Sequence, residues 1–124
     1  MSHLLIVAAG GAAGAALRHL AGLAALRLLG PGFPWGTLAV NVLGSFAMGL
    51  FVEWLSRRSG TSAELRLFVA TGLLGGFTTF SAFSLEVAVL WERGALALAA
   101  GYVAISVAAA LAGLAAGLWL MRLA

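Results

Sequence analysis

Residues 72–84 read GLLGGFTTFSAFS and lie at the centre of an apolar run that extends from about Glu64 to Trp91. The run can cross a membrane, since a transmembrane helix needs about 20 residues. Paired glycines followed by paired threonines favour an interruption of that helix, which we expect at mid-membrane near residues 75–79. Non-helical backbone persists at such depth only where protein or a polar cavity surrounds it. The stretch therefore predicts a broken membrane helix beside a polar space.

Three further apolar runs flank this one and are separated by short polar or Gly/Pro-rich connections. Apolar residues make up 63% of the 124 residues and charged residues 9%, and the mean hydropathy is +1.09. A soluble domain of this size could not bury so much apolar surface. We expect spans at residues 3–29, 35–55, 64–91 and 95–123. Residues 1–124 are therefore predicted to form a single all-α membrane domain of four transmembrane helices, with the lipid bilayer as its solvent.

The charged residues limit the possible partners and leave the orientation in the membrane weakly specified. All seven basic residues are arginines, the net charge is +3 and there is no cysteine. Scattered arginines argue against nucleic-acid binding, and the lack of cysteine excludes disulfides and thiolate sites. Four spans place both termini on one side, together with Arg57, Arg58, Arg66 and Arg122; the other side has Arg27 and Arg93. This weak bias fits insertion in both orientations and antiparallel pairing.

Polar residues in the first two spans have both structural and functional interpretations. Gly10, Gly14 and Arg18 recur every fourth residue, so they share one helix face. Small residues predict contact with another helix, which leaves Arg18 either to attract anions or to serve the structure. Asn41 lies in the middle of the second span, one turn after Thr37. Its amide either ties two helices together or donates to an anion.

The third and fourth spans carry uncharged donors. Phe80 and Phe83 are three residues apart and alternate with hydroxyls such as Ser81, while Tyr102 and Ser106 lie one turn apart. Aromatic ring edges are electropositive, so with hydroxyl donors they could line a dehydrated path for a small anion. Simple packing against lipid or protein is the alternative. Carbonyls released at the break would form a hard oxygen site suited to Na⁺.

Glu86 is the only acid expected inside a span. It is interpreted as a proton carrier, as a partner of Arg18 or as an interfacial carboxylate.

Neither histidine has metal-ligand spacing, and no nucleophile triad or phosphate loop is present, so we expect no enzyme. One alternative is a small dual-topology, proton-coupled exporter of organic cations. That chemistry needs a carboxylate in the first span, which has no acid, so Glu86 would have to serve instead. Another is a non-transporting subunit of a larger complex.

Three motifs in order resemble the Fluc fluoride channel family, also called CrcB. They are GGAAGAALR at residues 10–18, GTLAVNVLGS at 36–45 and GGFTTFSAFSLE at 75–86. The resemblance covers nearly the whole chain and the four-span layout. It implies an antiparallel, dual-topology homodimer with two pores in a bacterial plasma (inner) membrane. Such a channel exports fluoride passively and relieves fluoride toxicity.

The resemblance also implies roles for single residues. The backbone carbonyls of Gly75 and Thr78 would hold one structural, non-transported Na⁺ where the broken helices of two subunits meet. Phe80 and Phe83 would line the pores. The remaining pore positions are polar: Asn41, Ser81, Thr37, Tyr102 and Ser106. Two charged positions match the family's vestibule arginine and the acid after the phenylalanines: Arg18 and Glu86. The chain departs from many members at Ala82 and Ala110, where hydroxyl residues are common.

Overall fold

The computed structural model describes residues 1–124, and every regular element is a helix. Four segments are long and apolar enough to cross a membrane: Ser2–Leu29, Trp35–Ser56, Ala63–Glu92 and Leu96–Leu123. The all-α, four-span prediction is therefore confirmed, with each boundary within a few residues of the expected one. Gly30 and Gly94 turn the chain after the first and third spans with φ of 78° and 77°, which glycine adopts without steric cost.

The third span consists of two half-helices separated by non-helical backbone. The leading half-helix covers residues 63–77 and includes a π-helical stretch at Leu67–Leu74; the trailing half-helix is Ser81–Glu92. Ser62 begins the leading half-helix, because its hydroxyl accepts a hydrogen bond of 3.2 Å from the Leu65 amide. Thr78 is extended, with φ −89° and ψ 159°. The third span is therefore interrupted, as predicted.

The interruption lies at residues 78–80, so it overlaps the end of the expected range near residues 75–79 and begins only after the two glycines. Gly75 is helical, with φ −62° and ψ −38°, and the helix continues through Phe77. The physical reason is that Gly76 serves packing: a Cβ built there would lie 2.6 Å from the Gly11 carbonyl oxygen. The glycine pair therefore brings two backbones together, and the threonines mark the break itself.

The glycine face of the first helix packs directly against the leading half-helix. A Cβ on Gly10 would lie 2.5 Å from the Phe68 carbonyl oxygen, and one on Gly14 would collide with the Leu73 carbonyl oxygen. From the opposite side, a Cβ on Gly72 would lie 3.0 Å from the Gly10 Cα. The predicted helix contact of this face is confirmed. The π-helical turns at Leu67–Leu74, which lie opposite this face, were not predicted from the sequence.

A second pair of glycines joins the second and fourth helices, which pack as extensively as the first helix and the leading half-helix. A Cβ on Gly49 would collide with the Leu114 carbonyl oxygen, and one on Gly117 with the Phe46 carbonyl oxygen. Both glycines are buried. Because lipid chains are as apolar as leucine side chains, such close backbone packing is a main source of helix association in membranes.

Charged residues collect at the end of the bundle that holds the second connection and the C-terminus. Glu53 accepts hydrogen bonds from Arg57 Nε at 3.3 Å and from Arg122 Nε at 3.1 Å. Arg57 Nη2 also donates to the Arg122 carbonyl oxygen at 2.9 Å. The shared carboxylate therefore ties the end of the second helix to the end of the fourth, as the four-span layout requires.

We predict that Gly14→Ala lowers the free energy of unfolding by about 1–3 kcal/mol, because the added methyl group forces the first helix away from the Leu73 carbonyl. Gly22→Ala is the matched control on the same helix, since a Cβ there meets nothing within 4 Å. Thermal unfolding of both variants in detergent measures the difference. A Gly14→Ala protein that melts with the wild type would contradict this packing.

Candidate functional site

Asn41 holds the broken backbone from the second helix. Its Oδ1 accepts a hydrogen bond of 2.7 Å from the Thr79 amide, and its Nδ2 donates to the Thr79 carbonyl oxygen at 3.0 Å. Only a side-chain amide offers both a donor and an acceptor in this arrangement. Of the two interpretations of Asn41, the structure shows the tie between helices, and it shows that the tie is made to the interruption.

Hydroxyl groups satisfy much of the remaining backbone at the interruption. Thr78 Oγ1 donates to the Leu74 carbonyl oxygen at 3.0 Å, and Thr79 Oγ1 accepts from the Ala82 amide at 3.1 Å. Thr79 therefore caps the trailing half-helix. Ser84 Oγ donates to the Phe80 carbonyl oxygen at 2.9 Å, while Ser81 Oγ lies 3.3 Å from Thr79 Oγ1 on the exposed side. The paired threonines were expected at the interruption, but Thr79 was not among the predicted pore residues, whereas Ser81 was.

The carbonyl oxygens of Gly75 and Thr78 accept none of the turn or side-chain hydrogen bonds at the interruption. The Gly76 carbonyl, by contrast, accepts from Arg18 Nε at 3.1 Å. Hard cations prefer oxygen ligands, so these two carbonyls fit the chemistry of a site for such a cation. One chain supplies only part of a coordination shell here, because a hard cation takes several oxygens.

A groove runs beside the interruption between the second, third and fourth spans. It has a volume of about 320 Å³, and its lining includes Asn41, Thr79, Phe80, Phe83 and Ser106. The two phenylalanine rings lie 5.5 Å apart at their centroids. Phe80 is 77% exposed and Phe83 8% exposed. The Ser106 hydroxyl is buried and has no hydrogen-bond partner, so its proton is directed to no group of this chain.

Glu86 lies in a cluster of hydroxyl donors outside the groove, at a separate cavity beside the first connection. Thr37 Oγ1 donates to Glu86 Oε2 at 2.9 Å, and the Tyr102 hydroxyl donates to Oε1 at 3.0 Å. Tyr102 is fully buried, and its ring centroid lies 5.1 Å from that of Phe83. Glu86 forms no ion pair with Arg18, one of the partners considered for it. The ring contact joins this cluster to the groove.

Arg18 lies on the other side of the interruption, in a cavity of about 290 Å³. The cavity is lined in part by Thr37, Thr79 and Ala82. Arg18 is therefore close to the site, but it is not in the groove of Phe80 and Phe83. The structure brings together Asn41, Phe80, Phe83 and Ser106 in one group and Thr37, Glu86 and Tyr102 in another.

Comparison with known proteins gives a consistent result. The family model described as CrcB-like protein, Camphor Resistance (CrcB), matches residues 5–118. A protein of Chelativorans sp. is 63% identical over 122 residues and one of Mesorhizobium japonicum is 60% identical over 122, with 98% of each chain covered. A third, of Agrobacterium fabrum, is 55% identical over 121 residues, covering 94% of this chain and 97% of the relative. All three are named fluoride-specific ion channel FluC.

Replacing Asn41 with aspartate should destabilise the fold, because a carboxylate oxygen then faces the Thr79 carbonyl oxygen where the amide had donated. We expect Asn41→Asp to lower the free energy of unfolding by about 2 kcal/mol or more. Ser45→Ala is the control, since Ser45 lines the same groove without a hydrogen bond. Thermal unfolding in detergent and hydrogen exchange of the Thr79 amide report the effect. Unchanged melting and exchange in Asn41→Asp would show that the tie contributes nothing.

Proposed function

Because the chain belongs to the CrcB-like family, we propose that it is a fluoride-selective ion channel that exports fluoride passively across the plasma membrane. Its relatives at 55–63% identity over nearly their whole length are named fluoride-specific ion channels. The four membrane-spanning helices agree with a multi-pass membrane protein. Passive export down a gradient relieves fluoride toxicity and needs no chemical reaction, so the protein is a channel and not an enzyme.

The observation that best supports conduction of a small anion is the unpartnered Ser106 hydroxyl beside the two phenylalanines. Fluoride is strongly hydrated, so a selective path must replace its water with close donors. A free hydroxyl and electropositive ring edges are donors without formal charge. They bind an anion weakly enough for it to leave, which conduction requires. The groove therefore offers uncharged donors that can coordinate a fluoride ion in place of its water.

The other expected pore residues have defined places in this proposal. Thr37 and Tyr102 already donate to Glu86, so an anion that reaches this cluster competes with a carboxylate for their protons. Ser81 lies on the exposed side of the interruption, next to Phe80. Asn41 supports the groove by fixing Thr79. Arg18 attracts anions towards the cavity that it shares with Thr37.

We further propose an antiparallel, dual-topology homodimer with two pores and one central Na⁺ that is structural and not transported. Two observations support it. Phe80 is 77% exposed although it lies in the middle of a span. The Gly75 and Thr78 carbonyls have no hydrogen-bond donor and form only part of a cation shell. A two-fold axis through the interruption would double those oxygens and cover the exposed Phe80 of each copy.

Fluoride efflux from liposomes that contain only the purified protein tests the function, with chloride efflux measured in parallel. We expect fast loss of fluoride and negligible loss of chloride. Efflux of an organic cation driven by a proton gradient would favour the exporter with Glu86 as carrier. The absence of any flux from folded protein would favour the non-transporting subunit.

In the same assay, Phe80→Ile and Phe83→Ile should each lower fluoride flux at least about tenfold, because an aliphatic side chain has no electropositive edge. Phe51→Ile is the control, since Phe51 lies near the end of the second helix and outside the groove. Size-exclusion chromatography should show the same oligomer for all three variants. Full flux through both groove variants would remove the phenylalanines from the path.

Dual topology predicts that a reporter fused to the C-terminus is detected on both sides of the membrane in one cell population. The physical reason is the weak arginine bias between the two ends of the bundle. Adding two lysines after Ala124 is a suitable control, because extra positive charge should shift the population to one orientation. A single orientation of the unmodified chain would contradict the antiparallel dimer.

A further inference from the structure

Arg18 is a charged residue within the first span that has no carboxylate partner. Its Nε donates to the backbone carbonyl oxygen of Gly76, 58 residues further along the chain, at 3.1 Å. A guanidinium at this depth is costly unless protein groups accept its protons. The acid nearest to the groove, Glu86, is occupied by Thr37 and Tyr102. The backbone of the third span is therefore the partner that the structure provides.

The position of Arg18 follows from the packing of the first helix. Gly10 and Gly14 bring this helix into backbone contact with the leading half-helix, against Phe68 and Leu73 respectively. Arg18 is the next residue on the same face, one turn after Gly14. It is therefore placed opposite the end of the leading half-helix, which is where the Gly76 carbonyl lies.

The end of a helix inside a membrane needs compensation. Its last carbonyls have no partner within the helix and carry partial negative charge, and hydrocarbon supplies no water to them. Thr78 bonds to the Leu74 carbonyl with both its amide and its hydroxyl. Arg18 bonds to the Gly76 carbonyl. The Gly75 carbonyl, between these two, is left free.

We propose that Arg18 is a positioning residue that caps the leading half-helix at Gly76 and thereby orients the adjacent Gly75 carbonyl for the central Na⁺. The cap and the Asn41 tie to Thr79 fix both flanks of Thr78, so the second free carbonyl is held as well. The orienting role rests on the proposed function, because the Na⁺ is part of it. The cap does not, because it is a hydrogen bond within one chain.

This role differs from attraction of anions in what it predicts. Attraction of anions depends only on the charge of Arg18. Loss of that charge would lower flux at low fluoride, and saturating fluoride would restore the flux. In this role, loss of the charge would leave the free energy of unfolding unchanged. A cap depends on a directed donor, so its loss weakens the fold and the cation site, and raising the fluoride concentration does not restore flux.

Three variants separate the two roles: Arg18→Leu, Arg18→Gln and Arg27→Leu. Leucine removes charge and donor, whereas glutamine removes the charge but keeps an amide donor. Arg27→Leu is the matched control, because Arg27 is an exposed arginine of the same helix with no hydrogen bond to the third span. The melting temperature is measured in fluoride-free detergent solution. In a series of samples, NaCl replaces N-methylglucamine chloride, because the N-methylglucamine cation is too large for the site.

For the wild type we expect the melting temperature to rise with Na⁺. Arg18→Leu should melt about 5 °C lower without Na⁺ and need about tenfold more Na⁺ for half of the rise. Arg18→Gln should lie between Arg18→Leu and the wild type, and Arg27→Leu should behave as the wild type. If Arg18→Leu does not fold, the intermediate behaviour of Arg18→Gln still supports the cap.

A wild-type melting temperature and Na⁺ midpoint in both Arg18 variants would overturn the proposal. So would a glutamine variant that behaves as the leucine variant in melting while only low-fluoride flux is lost. The failure of the channel function is seen separately, because a wild type without fluoride flux leaves the fluoride-free melting data unaffected. A wild type whose melting ignores Na⁺ would remove the orienting role, and the comparison of Arg18→Leu with Arg27→Leu would then decide the cap alone.

Discussion

Backbone groups released in the middle of a membrane must find partners inside the protein, because hydrocarbon offers none. The interruption at residues 78–80 imposes this requirement, and most of the polar contacts near it meet it. Asn41 bonds to both backbone groups of Thr79, Thr78 bonds to Leu74, and Arg18 bonds to Gly76. The carbonyls that remain free are then available to a cation. The neighbouring helices therefore bond to some of the released backbone groups and leave other carbonyls unbonded.

The glycine faces make these contacts geometrically possible. Because Gly10, Gly14 and Gly76 allow two backbones to touch, the first helix lies close enough for Arg18 to reach a main-chain oxygen. Gly49 and Gly117 do the same for the second and fourth helices, which places Asn41 and Ser106 on walls of one groove. Close packing in a small four-helix protein therefore has a direct functional consequence: it brings uncharged donors together without the bulk of a larger domain.

The two phenylalanines of the groove differ in how far a single chain covers them. Phe83 is enclosed and contacts Tyr102, whereas Phe80 presents most of its surface outwards from the same groove. An aromatic ring beside hydroxyl groups and free carbonyls is an unusual surface to leave to lipid. A second copy related by a two-fold axis would cover it and add further carbonyls, so the proposed dimer answers both the exposed ring and the incomplete cation shell.

The sequence by itself determined the four spans, the glycine face that ends at Arg18 and the presence of an interruption, because hydropathy, helical spacing and the GGFTT pattern act locally. Only the tertiary structure decided that Gly75 and Gly76 stay helical and that the chain opens at Thr78, since helix contacts across the bundle determine what each glycine does. The hydrogen-bond partners of Asn41, Arg18 and Glu86 could not be predicted from the sequence either. The partners lie 16 to 58 residues away along the chain. The periodicity of one helix determines which face a side chain occupies but not which atom it contacts.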